Sequence, residues 1–152
     1  MIGALLVQMA VMAGLMWDES YSDFADIEDN KPIDHSAGFK RRAGVALITA
    51  AMISLFVATG MDELDWSMLK IFGGLCLVSY GFFTPLFRLN LNRLRGKHLC
   101  YVSPSNKYDC FFIRIAPRGP LLGDLVYNAG LIAYFTETSA FAMGCYVLLN
   151  QP

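Results

Sequence analysis

Residues 71–87 read Ile-Phe-Gly-Gly-Leu-Cys-Leu-Val-Ser-Tyr-Gly-Phe-Phe-Thr-Pro-Leu-Phe and contain no charged side chain. A helix needs roughly 17–25 apolar residues to cross the hydrocarbon core of a bilayer, so this stretch is long enough to span it. Several such runs in a chain of 152 residues leave too little amphipathic surface to bury them in a soluble core. The other uncharged runs are 1–17, 43–61 and 125–136, the last of which continues beyond Glu137 as 138–152.

The composition points the same way as these runs. The chain is 55% hydrophobic and 16% charged, whereas soluble domains average about 45–50% apolar and about 25% charged residues. The sequence therefore predicts an all-α membrane protein with four transmembrane helices. A single polytopic domain, 1–152, is expected, with spans at about 1–17, 43–61, 67–87 and 123–149 and with loops 18–42 and 88–118.

The positions of the lysines and arginines predict the orientation, because short loops rich in these residues stay in the cytoplasm. Loops 18–42 and 88–118 hold every basic residue except Lys70, while the short connection Asp62–Ser67 holds three acids and no base. Both long loops are therefore expected inside the cell and both termini outside, in a bacterial inner membrane. The run 1–17 has no basic segment before it, so it is interpreted as a retained first helix.

The second loop contains two β-prone stretches on either side of the turn Ser103-Pro-Ser-Asn106. This pattern favours a small β-hairpin lying on the cytoplasmic membrane surface between helices three and four. His98, Cys100, Asp109 and Cys110 would then approach one another, but they lack the paired spacing of zinc ligands, and no metal site is predicted. The acidic side chains of the first loop lack the spacing and glycine turn of a calcium loop and are interpreted as a solvated face.

Small residues are predicted to form the contacts between the helices. On one face of a membrane helix they let two backbones approach closely, which is how helices gain packing energy in lipid. They indicate either a compact bundle or a face for self-association, and they do not identify a function. The predicted packing residues are Ala46, Ala50, Ser54 and Ala58 in helix two and Gly73, Gly74 and Gly81 in helix three.

The segment that follows helix three is predicted to contact lipid headgroups. Its leucines can reach the acyl boundary while its bases meet anionic headgroups, and each base near such a surface contributes about 1 kcal/mol. Ordinary anchoring explains most of this pattern. A specific anionic lipid or phosphate site is the sharper hypothesis, since arginine forms charge-assisted hydrogen bonds with phosphate. Its candidate residues are Asn92, Arg93, Arg95 and Lys97.

The same loop carries a resemblance to a known group of proteins. The run Leu91-Asn-Arg-Leu-Arg-Gly96, followed by Tyr101 and Asp109, resembles a motif of small multi-pass membrane proteins from phages and prophages of Bacteroidetes-type bacteria. The chain departs from that motif at Ser103, where glycine is usual, and at Asn106, where serine is usual. The resemblance covers about twenty residues and implies a phage-derived inner-membrane protein. The family has no assigned function, so the resemblance supplies no mechanism.

Glu137 is the candidate residue for an ion or proton pathway, because it interrupts the fourth apolar run near its midpoint. A charged carboxylate at the centre of a bilayer costs about 2.5–3.5 kcal/mol on insertion scales. Three interpretations remain open from the sequence. Glu137 is neutral and hydrogen-bonded to a neighbouring helix, or the fourth span breaks or shifts to bring it to water, or it lies on a proton or cation path.

These features favour a non-enzymatic integral membrane protein that acts by protein or lipid interaction in the membrane. The expected partners are the bilayer, anionic headgroups at the cytoplasmic face, and a second copy of the chain or another membrane protein. The alternative is a small oligomeric ion or proton channel, or a transporter subunit, that uses Glu137. A membrane enzyme that acts on lipid or phosphate is the third and least favoured class, because no hydrolase, metalloprotease or phosphate-loop motif occurs. No catalytic residue, cofactor or nucleic-acid partner is predicted.

Overall fold

The computed structural model describes residues 1–31, 33, 35–59, 66–104, 106–116 and 125–151, and the described residues form helices and connecting turns without a strand. Four of the helices are long and one is short. They are α1 (Ile2–Glu28), α2 (His35–Ala58), α3 (Trp66–Leu94), α4 (Lys107–Ile115) and α5 (Leu125–Leu149).

Three helices in the described part of the chain are long and apolar enough to cross a membrane: Ile2–Glu28, Trp66–Leu94 and Asn128–Leu149. The sequence predicted four. The helix that falls short is α2, because Lys40, Arg41 and Arg42 lie in its first half and leave a shorter uncharged stretch before the described part ends. The all-helical class is confirmed, and within the described ranges three helices meet the length and composition of a span.

Both predicted loops are shorter than expected, because the helices run into them. α1 continues through the acidic segment to Glu28 and α3 continues through the basic segment to Leu94. Two residues beyond each helix end lies a residue in the left-handed conformation, Asn30 with φ 55° and Gly96 with φ 61°. The backbone amides of this residue and of the next one bond back to carbonyl oxygens of the last turn, as in a Schellman cap. The acidic connection at 62–65 lies outside the described residues.

The predicted β-hairpin is wrong, because its second half forms α4. The side chain of Asn106 accepts a hydrogen bond from the Tyr108 amide, which satisfies a free donor at the helix start. Asp109 in the first turn and Arg114 in the last complement the helix dipole. Phe112 and Ala116 then bury one face, a spacing of four that belongs to a helix rather than a strand.

The helix α3 lies at the centre of the bundle and packs against α1, α2 and α5. Its closest neighbour is α5, which runs antiparallel to it. A Cβ atom at Gly144 would lie 2.7 Å from the Gly74 carbonyl oxygen, and one at Gly81 would lie 2.5 Å from the Glu137 carbonyl oxygen. Glycine at these positions therefore brings the two backbones into direct contact.

The long helices expose large apolar side chains on their outer surfaces. Examples are Leu6, Ile48, Phe56 and Phe135, of which Phe56 is 80% and Phe135 75% exposed. Single exposed apolar residues are common in soluble proteins, but a contiguous belt of them marks a contact with membrane or protein. The interior holds apolar side chains such as Ile71, Leu75 and Leu148, together with small residues and a few polar groups.

Candidate functional site

A buried ion pair joins α3 to α5. The Arg88 guanidinium donates from Nη1 to Glu137 Oε2 at 2.8 Å and from Nη2 to Glu137 Oε1 at 2.9 Å. Arg88 is 7% exposed and Glu137 is fully buried. This two-bond geometry is the strongest form of a carboxylate–arginine contact.

Tyr108 of α4 completes the hydrogen bonding of Glu137. Its hydroxyl donates to Glu137 Oε1 at 2.8 Å and lies 2.6 Å from the hydroxyl of Tyr80. Burial, and then the negative charge of Glu137, raise the pKa of Tyr108 above its usual value, so the phenol keeps its proton. Since Tyr108 has one proton to give and gives it to Glu137, Tyr80 is the donor in the contact between the two hydroxyls.

Asp109 joins the same cluster from the next position in α4. Its Oδ1 lies 3.4 Å from Arg88 Nη2, and its Oδ2 accepts the Ser103 backbone amide at 2.7 Å. One arginine thus meets two carboxylates, and Asp109 also fixes the turn before α4. We call Arg88, Glu137, Tyr108 and Asp109 the polar node.

Glu137 lies at the predicted midpoint of the fourth long helix, because it is the central residue of α5 (Leu125–Leu149). Its backbone faces Gly81 of α3, while Gly144, two turns later in α5, faces Val78. Its side chain pairs with Arg88, the first charged residue after the uncharged run of α3. Because α3 and α5 are antiparallel, the Glu137 carboxylate is directed toward the basic end of α3, and α5 stays helical through Glu137 without a break.

The predicted headgroup residues divide into two groups. Asn92 is 3% exposed, and its side-chain amide donates to the carbonyl oxygens of Leu99 and Tyr101 at 3.0 and 2.8 Å. It therefore holds the loop after α3 in place and does not face outward. Tyr134 of α5 donates to the same Leu99 oxygen at 2.8 Å, which ties this loop to α5 as well.

The basic members of that prediction do reach the surface. Arg93 and Lys97 are exposed, while Arg95 is partly covered. The Arg95 guanidinium and the Lys97 ammonium both lie over the ring of Tyr101, at 5.6 and 5.9 Å from its centroid. Cation–π contact of this kind holds the two cations beside the aromatic ring.

The predicted packing residues also divide. Ala50 and Ser54 of α2 are fully buried, and the carbonyl oxygen of Ala46 accepts a hydrogen bond from Gln8 of α1. Gly74 and Gly81 contact α5, whereas a Cβ at Gly73 would meet nothing within 4 Å. The side chain of Ala58 lies outside the described residues.

A second ion pair links α1 to α2 at the same end of the bundle. Arg42 Nη1 donates to Glu19 Oε2 at 2.8 Å, and the Arg42 guanidinium lies over the rings of Phe83 and Phe87 of α3. The other carboxylate oxygen of Glu19, Oε1, is buried and has no hydrogen-bond partner among the described residues. This pair is less completely bonded than the polar node.

Sequence reasoning missed the role of Arg88, which it assigned to lipid headgroups. The available signal was the coincidence of one carboxylate inside an apolar run and one arginine at the end of another. Such intramembrane charges are usually paired. Gly130 was likewise not chosen as a packing site, although a Cβ there would overlap the Cys100 carbonyl oxygen.

The described residues contain no group of three or more His, Cys, Asp or Glu side chains placed to hold a metal ion. Comparison of the chain with protein-family models, with curated proteins and with solved structures gives no match. The polar node and the exposed surface of the bundle are therefore the two features that bear on the function.

Proposed function

We propose that the chain is an integral membrane protein that acts through contacts with lipid or protein in the bilayer and not through catalysis. The observation that carries this proposal is the belt of large exposed apolar side chains on α1, α2, α3 and α5. Lipid is the solvent that accepts such a surface without cost, and helices that satisfy their own backbone groups are the structures that cross it.

The proposed topology has four passes in a bacterial inner membrane, with both termini outside. The inclusion of α2 is supported by Leu47, Ile48, Met52 and Leu55, which are about half exposed or more and continue the belt of the neighbouring helices. The basic residues that begin α2 lie at the same end of the bundle as Arg88, because the Arg42 guanidinium lies over the ring of Phe87 in α3. The positive-inside rule assigns that end to the cytoplasm.

A non-catalytic role is supported by the bonding of the buried ionisable groups. Both oxygens of Glu137 are hydrogen-bonded, and Asp109 is shared between Arg88 and a backbone amide. A general acid or base needs a proton-exchanging contact with substrate, and these carboxylates are committed to helix contacts. Of the three interpretations of Glu137, a hydrogen-bonded contact with a neighbouring helix is the one that the polar node supports. The partner of the carboxyl group in this contact is the Arg88 guanidinium.

Single-cysteine labelling in intact cells tests the location and topology together. The native Cys76, Cys100, Cys110 and Cys145 are replaced by serine, and Asn30→Cys or Thr59→Cys is added. We expect a membrane-impermeant maleimide to label Thr59→Cys in intact cells and Asn30→Cys after permeabilisation alone. Labelling of Asn30→Cys from outside, or release of the chain by alkaline carbonate, contradicts the proposal. Purification in native detergent with mass determination then reports partners and stoichiometry.

A proton pathway through Glu137 is the second candidate, favoured by one observation. The hydroxyls of Tyr80 and Tyr108 connect the partly exposed Tyr80 to the buried carboxylate in steps of 2.6 and 2.8 Å. Proton flux into proteoliposomes, compared between the wild type and Glu137→Gln, decides it. Absent flux, or flux unchanged by the substitution, eliminates this candidate. The phage-type origin is a separate proposal, which the neighbouring genes on the chromosome test.

A further inference from the structure

The outer face of α4 mixes basic and apolar side chains. Lys107, Phe111, Arg114 and Ile115 are all exposed, Phe111 by 57% and Ile115 by 51%. Their spacing of four, three and one residues places them on one side of the helix, opposite the buried Phe112. Two large apolar groups flanked by two cations are the composition of a helix that lies in a membrane interface.

The positive charge around this face is not neutralised from within the described chain. The segment 88–116, which contains α4, carries two further exposed cations, Arg93 in the last turn of α3 and Lys97 just after it. Among residues 88–116 the single acid is Asp109, and it is buried in the polar node with Arg88. An anionic surface is therefore the complement of the segment 88–116.

Along the bundle axis, α4 begins where the exposed apolar side chains of the long helices end. Tyr108, in its first turn, bonds to Tyr80 and Glu137, which lie next to the last turns of the uncharged run of α3. Phe112 and Ala116 cluster with Ala133 and Ala129, which lie one and two turns before Glu137 in α5. α4 thus starts beside the end of the apolar run and continues away from it.

We propose that the outer face of α4 binds anionic phospholipid, with Lys107 and Arg114 on the headgroup phosphates and Phe111 and Ile115 among the upper acyl carbons. The occupant is the bilayer that holds the protein, because the face continues the apolar belt and carries uncompensated positive charge. The inference rests on the proposed membrane location, and it adds a specific lipid class and a specific helix to it.

The first test removes the two charges. Full-length Lys107→Gln/Arg114→Gln is compared with the control Lys31→Gln/Arg41→Gln, which removes two exposed cations already paired with Asp29 and Asp18. Native mass spectrometry of detergent-solubilised protein counts bound phosphatidylglycerol against phosphatidylcholine. We expect the α4 variant to lose about fivefold of its preference for phosphatidylglycerol per removed charge, and the control to keep most of it. Equal loss in both variants overturns the inference.

The second test locates the apolar side chains. Phe111→Trp is placed in a Trp17→Phe/Trp66→Phe background and reconstituted in nanodiscs containing phosphatidylglycerol. Lipids brominated on the upper acyl carbons are expected to quench this tryptophan, whose emission should be shifted to the blue. Unquenched, water-like emission overturns the inference, and so does unquenched emission with a blue shift, which indicates cover by protein. In either case resistance to carbonate extraction leaves the membrane location standing.

Discussion

The contact of α3 with α5 and the contacts of α1 with its neighbours differ in how completely they are made. Between α3 and α5, glycines bring the backbones together and Glu137 has both carboxylate oxygens bonded. On α1, both Gln8 and Glu19 leave one buried side-chain oxygen without a partner among the described residues. The interface between α3 and α5, which we call the α3–α5 seam, is thus closely packed and fully hydrogen-bonded at Glu137. Within the part of the chain that the structure describes, the contacts of α1 leave two buried acceptors without a hydrogen bond.

The difference shows which contacts specify the fold in lipid. Without a hydrophobic drive between helices, association depends on close packing and on interhelical polar bonds. The α3–α5 seam has both, and α4 strengthens it through Tyr108. The α1 side has the polar bonds without backbone contact at glycine, so we expect it to open first.

The largest expected effect comes from breaking the polar node. Arg88→Met leaves Glu137 buried without its counter-ion and should lower the free energy of unfolding by about 3–5 kcal/mol. Unfolding by sodium dodecyl sulfate in mixed micelles measures it. Because replacing both partners removes the uncompensated charge, Arg88→Met/Glu137→Leu should be more stable than Arg88→Met. A double variant as unstable as the sum of the single ones contradicts this account.

Closing the space at the seam should come next. Gly81→Ala places a methyl group against the backbone of Phe141 and Glu137, and overpacking of this kind costs about 1–3 kcal/mol. Gly73→Ala is the matched control in the same helix, since its Cβ meets nothing within 4 Å. The same micelle titration should detect a loss for Gly81→Ala and no loss for Gly73→Ala. Equal stability of the two would show that α3 and α5 do not touch at Gly81.

Removal of the ion pair between Arg42 and Glu19 should lower the free energy of unfolding less than removal of Arg88 does. Arg42→Met breaks the contact with Glu19, but the Arg42 side chain is 22% exposed and Glu19 lacks a partner for one oxygen already. The expected loss of about 2 kcal/mol lies between that of a buried and that of an exposed pair. Limited proteolysis of the segment after α1 should quicken at the same time. A loss as large as that of Arg88→Met would mean that the two pairs are equivalent.

The smallest effect is expected at Gln8. Its amide donates to Ser79 Oγ at 2.5 Å, while its own oxygen is unpaired. Gln8→Met removes this bond, together with a longer one of 3.4 Å to the Ala46 carbonyl oxygen and one unsatisfied buried acceptor. Because the loss of the bonds and the loss of the unsatisfied acceptor offset each other, the unfolding free energy should change by less than about 1 kcal/mol. Ser79 keeps its bond to the Leu75 carbonyl oxygen. A loss beyond about 2 kcal/mol in the micelle titration would show that the Gln8–Ser79 bond dominates this contact.

The class of the fold could be predicted from the sequence because it depends on composition along the chain. Uncharged runs such as 71–87 report their length directly, and the cost of Glu137 in lipid identified it as exceptional. The ion-pair partner of Glu137 could not be predicted from the sequence. Arg88 is the first residue of a basic segment, and contact with lipid headgroups explains an arginine there equally well. The register of α3 against α5, which brings the two together, depends on which glycines meet.

The error at α4 has a local cause. Residues 108–115 are rich in aromatic and β-branched side chains, and that preference favours a strand. The helix forms because Asn106 caps it and because Tyr108 and Asp109 find partners on α3 and α5. Tertiary contacts of this kind are not visible in a single sequence, although Asn106 followed by an early acid and a late base was a usable sign of a helix.

The uninterrupted length of α1 allows this helix to transmit force. The helix continues from Ile2 to Glu28 as one piece, and the part from Asp18 onward adds roughly 16 Å at 1.5 Å per residue. A force applied to the acidic C-terminal part of α1, from Asp18 to Glu28, is therefore transmitted along the rigid helix to its N-terminal part. There Gln8 has one buried oxygen that receives no hydrogen bond from any described residue. Anything that pulls on the acidic part would tilt α1 against α3 while leaving the seam with α5 in place.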